Sequence, residues 1–245
     1  MKNRLFSVIT ITKNSGMLFE QTAKSIVCQT FTDFEWIVVD GSTCDESVNI
    51  VDRNILPDTK LIRGLDRNIS DAWNLGIKRS SGKFILILNS GDTYVPTYLE
   101  QCSQYRDKND KILCGSATTV DRDGKEHFIL TPKIDALWRG MHVPHNWMCV
   151  PCEFYAKYGL YLEIDHAMDY EWVYRVYHEQ GSSCFLALPG DSHGTYMLGG
   201  HSDKNYFQGL LQSHKIRNSL GANQISSFFL VVVYAVYYFL RTSIK

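Results

Sequence analysis

The sequence predicts an α/β fold with a Rossmann-like, mostly parallel central sheet flanked by helices. Three observations predict it: strands of the buried type, helical spacing between them, and polar or acidic residues where the strands end. Residues 5–12 (LFSVITIT), 35–40 (EWIVVD) and 84–88 (FILIL) are rich in apolar, largely β-branched residues and do not alternate, the pattern of strands covered on both faces. The turn at Asn14-Ser15-Gly16 leads into helical spacing over 18–28, which recurs over 45–55 and 70–79 with a short strand at 60–62 between them. Strands that alternate with helices imply parallel pairing through right-handed crossovers.

Beyond residue 112 the pattern weakens. A hairpin is expected around Asp123-Gly124, an aromatic and His-rich stretch covers 138–147, and a helix is expected from about 166 to 179. The run 228–240 (FFLVVVYAVYYFL) predicts a C-terminal apolar helix, shorter than the roughly 18 to 20 residues that cross a bilayer. It reads as a surface-lying anchor, with Tyr234, Tyr237 and Tyr238 at headgroup depth and Arg241 and Lys245 toward anionic lipid; a helix packed on the domain is the alternative.

A chain of 245 residues suits one large α/β domain with a short appendage, so one active site is expected. With 25 Lys+Arg against 26 Asp+Glu and no long basic run, nothing tracks a phosphate backbone, which argues against a nucleic acid partner. Seven scattered cysteines and an N-terminus without an apolar secretory core point to a reducing cytosol.

Ligands of wound sheets bind at the carboxyl ends of the strands. Those ends carry Asn14, Asp40-Gly41-Ser42 and Asn89-Ser90-Gly91-Asp92. No G-x-G-x-x-G follows the first strand and no G-x-x-x-x-G-K-[ST] occurs, so the dehydrogenase and P-loop readings lose their support. A diphosphate can instead be held by Mn²⁺ or Mg²⁺ between phosphate and carboxylate oxygens, for which Asp92 is the candidate metal ligand. Cys149-Val150-Pro151-Cys152 has the spacing of a redox motif but lies in the wrong part of the chain for one, and only His142 and His145 are near enough to complete a zinc site.

Five pieces run in order through the chain: SVITITKN, SIVCQTFTDFEWIVVDGSTCDES, DRNISDAWNLGIKRSSGKFILILNSGD, HAMDYEWVYR and MLGGHS. In these the sequence resembles the bacterial family 2 glycosyltransferases of GT-A fold, and is similar to hexosyltransferases of O-antigen and colanic acid assembly. The resemblance implies a GT-A domain over 1–220, its nucleotide-sugar half 1–110 and its acceptor half 111–220, followed by a membrane-associating segment over 221–245. It implies a nucleotide pocket using Thr12, Asn14, Asp40, Asp66 and Asp71, joined by Gly41, Ser42, Asn74 and Gly91, a metal on Asp92 and a catalytic base at Asp169. His145 and Tyr170 are expected to line the acceptor pocket.

Inverting transfer needs one carboxylate to take the acceptor's proton and offers no role for an enzyme nucleophile. Each acid also has a plain structural reading: Asp40 as a turn cap, Asp92 as a helix-start residue, Asp169 as a solvated helix acid. The chain departs from the family pattern at Gly91, where relatives often carry a second acid, and at Asn68 and Ser70, where Gly and Tyr are frequent. Asn68 is expected to keep the left-handed turn. Gly199-Gly200-His201-Ser202 resembles a loop that closes over the donor, with His201, or His193 nearby, reaching the metal or diphosphate.

The expected function is thus an inverting, metal-dependent transfer from a nucleotide-sugar to a lipid-diphosphate-linked or other saccharide acceptor, at the cytoplasmic face of the inner membrane. A catalytically silent nucleotide-sugar-binding or membrane-binding subunit is the alternative from a different class. The arrangement that underlies the enzyme reading is a gathering of Asp40, Asp92 and Asp169 around one hollow.

Overall fold

Strand β1 (Phe6–Thr12) and its neighbour β2 (Phe34–Asp40) are buried almost from end to end, as their unbroken apolar runs require. In the computed structural model the described residues are 4–64 and 68–243, the side chains at 237 and 240–243 excepted. Asp66, expected in the nucleotide pocket, and Lys245, with the side chains of Tyr237 and Arg241, therefore lie outside the described residues.

The chain continues through α1 (Met17–Val27) between those strands, then α2 (Glu46–Arg53), β3 (Thr59–Arg63), α3 (Ile69–Arg79), β4 (Phe84–Ile87), β5 (Thr93–Tyr94), α4 (Tyr98–Ser103), β6 (Ile112–Cys114), β7 (Ala117–Val120) and β8 (Glu126–Leu130). It ends with β9 (Met148–Pro151), α5 (Cys152–Tyr158), α6 (Met168–Gln180), β10 (Phe185–Ala187), β11 (Gly194–Met197), α7 (His201–Lys204), α8 (Tyr206–Ser219) and α9 (Gln224–Ser243). The main sheet has the order β10-β6-β9-β4-β1-β2-β3; every pairing is parallel except those of β9, which runs antiparallel to β4 and β6. A second sheet, β5-β11-β7-β8, carries the expected hairpin around Asp123-Gly124.

Successive residues of a strand point to opposite faces. Ile9, Ile37 and Ile85 thus enter one core with Trp73 and Trp172, while Val8, Val38 and Leu86 enter another with Phe19 and Trp36. A sheet with two apolar faces is why the strands do not alternate in sequence. The exception inside β2 is Glu35, 2% exposed, whose carboxylate takes hydrogen bonds from Ser7 Oγ (2.5 Å), Ser81 N (2.6 Å) and Lys60 Nζ (2.5 Å). These bonds hold its pKa below the ordinary carboxylate value against the opposing effect of burial.

At the start of α3, Asn68 is extended (φ −161°) and its side chain caps the helix by accepting from Asp71 N at 2.9 Å. The expectation of a left-handed Asn68 is thereby corrected: its amide, not its tolerance of positive φ, suits the position. Among the described residues, the left-handed positions other than glycine are Asn14 (φ 52°) and Ala167 (φ 55°). At the other end, α9 packs on α8 through Tyr238 stacked on Tyr206, ring centroids 4.4 Å apart. Its outer face is apolar and exposed, including Phe228, Phe229, Val232, Val236 and Phe239. Among the described residues no helix is long and apolar enough to cross a membrane.

Candidate active site

The strand ends of β1 and β4, the start of α3, the 133–147 segment, the first turn of α6, the β11–α7 loop and α8 surround one cleft of about 1840 Å³. That exceeds the roughly 300–1000 Å³ of a site for one small ligand. Thr12, Asp92, His145, Asp169, Tyr170 and His201 line it. Buried polar atoms without a hydrogen-bond partner among the described residues include three on this lining: Thr12 Oγ1, Trp147 Nε1 and His166 Nδ1.

Asp92 follows β4 through the turn Asn89-Ser90-Gly91 and is 5% exposed. One carboxylate oxygen accepts from Met197 N at 2.8 Å, and the other is bonded by Asn146 Nδ2. Burial pushes its pKa up to about 7; the two N–H donors pull the other way, and the charge of Asp203 adds to the rise. Gly91 has φ 104°, a conformation that strains any side chain, so a second acid there would compromise the turn that presents Asp92.

From Asp92 a hydrogen-bonded chain crosses the cleft. Asn146 Oδ1 accepts from Asn89 Nδ2 (3.1 Å), and Asn89 Oδ1 accepts from Trp73 Nε1 (3.0 Å). His145 lies against Trp73, centroids 4.7 Å apart, and shares a 2.8 Å hydrogen bond between its Nε2 and the Tyr161 hydroxyl. Its pKa is lowered by burial, with the charge of Asp169 working against that. The imidazole is held as a neutral hydrogen-bonding group at the wall of the cleft.

Asp169 sits in the first turn of α6, two residues after the left-handed Ala167, and its Oδ1 accepts from Tyr170 N at 2.8 Å. Its Oδ2 takes no hydrogen bond from the described residues, which leaves lone pairs toward the cleft. Tyr170 itself is buried, with its hydroxyl donating to Leu137 O at 3.1 Å. The hydroxyl of Tyr196 is pushed up by burial and then by the charges of Asp203, Asp92 and Asp169, so three carboxylates surround this one phenol. Asp203 lies in α7, and its Oδ2 accepts from Gly199 N of the loop before that helix at 2.6 Å.

Several expected residues lie elsewhere. Asp40 does not line the cleft: its Oδ1 accepts from Ser42 N (2.8 Å), its Oδ2 from Ser47 Oγ (2.6 Å), and Arg63 Nε stands 3.3 Å away. The gathering of acids is realised for Asp92 and Asp169 and not for Asp40, which closes its own turn one strand over from Thr12. Asn14, Gly41 and Ser42 are engaged in that same turn, with Asn14 N donating to Ser42 Oγ at 2.8 Å and Gly41 N to Thr12 O at 3.0 Å. Asp71 is in the first turn of α3 outside the cleft lining. Asn74 spends both ends of its amide on the backbone of Tyr161 (2.8 and 3.0 Å), which makes it a support for the buried Tyr161 behind His145.

His193 is also spent, with Ser116 N donating to its Nδ1 at 2.9 Å and its Nε2 bonded to Pro189 O at 3.2 Å. His201 is exposed and stacks on His166, centroids 5.7 Å apart. Cys149 is a buried thiol whose pKa is raised by desolvation, against any redox role for the C-x-P-C run. Asn146, Tyr196 and Asp203 were not selected by sequence, and Asn89 entered only as part of the strand-end turn before Asp92. For Asn146 the signal was the polar pair His145-Asn146 within the aromatic stretch.

Among the described residues no group of three His, Cys, Asp or Glu could hold a metal ion alone. Asp92 nonetheless fits a divalent cation that brings oxygen ligands of its own from a diphosphate, the manner in which Mg²⁺ is commonly bound.

Residues 7–179 match the family described as glycosyl transferase family 2. The chain belongs to that family of glycosyltransferases. It is 27% identical over 135 residues to the glycosyltransferase GlyG of Streptococcus pneumoniae, covering 53% of this chain and 44% of the relative. To a PGL/p-HBAD biosynthesis glycosyltransferase of Mycobacterium bovis it is 33% identical over 92 residues, 36% of each chain. The matches thus span less than half of these curated relatives. Among solved structures it is similar to S. aureus TarS 1–349 in complex with UDP-GlcNAc (TM-score 0.69, 18% identity, 92% of this chain and 70% of that one). It is also similar to the mannosyltransferase PcManGT from Pyrobaculum calidifontis with GDP-Man and Mn²⁺ (TM-score 0.63, 16% identity, 95% and 74%). At such identities the likeness establishes the GT-A fold.

Proposed function

We propose that this chain is an inverting, divalent-metal-dependent glycosyltransferase that moves a sugar from a nucleotide-sugar to a lipid-linked saccharide acceptor in surface polysaccharide assembly, at the cytoplasmic face of the membrane. The observation that carries the reading is that Asp92 and Asp169 line one cleft while each keeps lone pairs to spare. Two neighbours of the same shape were solved with UDP-GlcNAc and with GDP-Man and Mn²⁺; the ligand class, a nucleotide-sugar, is what we carry over.

In this reading Thr12 would stand beside the donor at the end of β1, and Asp92 would hold a divalent cation brought with the diphosphate. When bound, Mn²⁺ or Mg²⁺ offsets the negative charge of the departing nucleotide. Asn146 and Met197 N fix the Asp92 carboxylate, so little reorganisation is needed as charge develops. Asp169 Oδ2 accepts the proton of the acceptor hydroxyl as it attacks the anomeric carbon, with His145 and Trp73, backed by the buried Tyr161, forming the wall against which the acceptor rests.

The test is a panel of UDP-, GDP- and dTDP-sugars with Mn²⁺ and a lipid-diphosphate sugar acceptor, run on wild type, Asp92→Ala and Asp169→Ala. Both variants are expected to lose transfer, by about 10²-fold or more for the base, while Asp169→Ala still binds donor. Undiminished transfer by Asp169→Ala removes the base assignment. Donor that binds wild type and stays intact under every condition favours the silent-subunit reading.

A further inference from the structure

We propose that the wall of the cleft made by α8, α9 and the 133–142 segment is a phosphate subsite centred on Arg217, which takes the phosphate or diphosphate of a long-chain lipid carrier. This rests on the glycosyltransferase reading above and names the part of the acceptor that the wall holds. Arg217 is 3% exposed and lines the cleft. Its Nε donates to Ser227 Oγ (2.9 Å), its Nη1 to Arg139 O (3.0 Å) and its Nη2 to Ser227 O (3.2 Å), and the guanidinium also lies beside the Tyr170 hydroxyl. Every one of these acceptors is neutral, and no carboxylate among the described residues forms an ion pair with it.

A buried cation without a counter-charge is costly to fold, and neutral donors would serve those three acceptors as well. The charge is the property of Arg217 that the fold leaves unused. Lys133 and Arg139 line the same wall, and their charges add to burial in lowering the pKa of His142. The carboxylates of the lining, Asp92, Asp165 and Asp169, come from other elements. Lys13, Arg122 and Lys204 also line the cleft from other elements, while Arg217, Lys133 and Arg139 gather without a lining acid on the wall next to Tyr170. Guanidinium groups suit phosphate oxygens by shape as well as charge.

The apolar part of the proposed ligand follows from α9. Tyr234 of α9 lines the cleft and shares a 2.9 Å hydrogen bond with His142 Nε2. The same helix exposes Phe228, Val232, Val236 and Phe239, spaced along one face. A cationic wall beside an exposed apolar helix complements an amphiphile with an anionic head better than it does a free sugar phosphate.

The experiment is flotation of the full chain with phosphatidylcholine vesicles that carry a long-chain polyprenyl diphosphate, the free polyprenol, or phosphatidylglycerol at matched charge. Wild type is expected to prefer the diphosphate vesicles over both others by about tenfold. Arg217→Gln, which keeps donors and removes charge, and the doubly substituted Lys133→Ala/Arg139→Ala chain, altered only at exposed positions, are each expected to fall to the polyprenol level. Equal binding to diphosphate and polyprenol vesicles overturns the subsite, as does equal binding to phosphatidylglycerol, which would mark a general anionic surface. Retention of the preference by the doubly substituted chain overturns it even if Arg217→Gln misfolds. Donor turnover is measured alongside: loss of all transfer with the vesicle preference intact refutes the enzyme reading and leaves the phosphate subsite standing.

Discussion

Replacing Asp92 by Asn removes a carboxyl group whose ionisation the fold resists. Burial pushes its pKa from 3.8 up to about 7. Between those values the folded chain keeps a proton that the unfolded chain has released, so the contribution of Asp92 to stability is most favourable below pH 3.8 and declines as pH rises to about 7. At about 1.4 kcal/mol per unit the full decline is about 4 kcal/mol, of which about 3 kcal/mol falls between pH 5 and 8. His142, His145 and His193 act in the opposite sense: burial lowers their pKa values, so stability is lost as pH falls below 6.5. They are present in both proteins, and the difference between wild type and Asp92→Asn isolates the carboxyl.

The assay is urea unfolding at several pH values between 5 and 8 with neither donor nor metal added. Relative to the variant, wild type is expected to lose about 3 kcal/mol across that range. Addition of nucleotide-sugar with Mn²⁺ should restore wild type at pH 8 and leave the variant unchanged, because ligand that binds only the folded state stabilises it. A difference between the two proteins that stays flat with pH refutes the claim that Asp92 is held protonated by burial.

Asn146→Ala takes away one of the two N–H donors on Asp92. A hydrogen bond to a charged group contributes about 1.5–3 kcal/mol, so the pH midpoint of donor binding with Mn²⁺ should rise by about one to two units, and an unmoved midpoint disconnects Asn146 from the site. Glu35→Ala leaves Lys60, Ser7 and Ser81 without their shared acceptor and should cost about 3 kcal/mol in urea unfolding. Gly194→Ala drives a methyl into the Thr93 carbonyl and within 2.6 Å of Trp147 Nε1, so it should destabilise by about 1–3 kcal/mol and, by shifting β11 and Met197 N, weaken donor binding. Unchanged donor affinity would show that β11 does not position Asp92.

The first half of the chain was legible because its signals are local. The strands β1, β2 and β4 announce themselves by apolar residues on both faces, and each helix between them by its spacing, so the parallel β-α-β order can be read without any long-range information. The placement of Asp92 after a strand and a glycine turn is local in the same way. The second sheet was hidden, because β5, β7 and β11 have only two to four residues each and their pairings join distant parts of the chain.

What the sequence determined by itself was the family, the wound sheet and two of the acids in the cleft. Which strand-end acid faces the cleft was decided by the tertiary structure. Asp40 and Asp92 carry the same local signature, yet Ser47 and Arg63 draw Asp40 into its own turn, while Met197, 105 positions away, and Asn146 hold Asp92 at the wall. A carboxylate goes where its hydrogen-bond donors are, and those donors reach Asp92 only once β9, β11 and the loop before β9 have folded against β4.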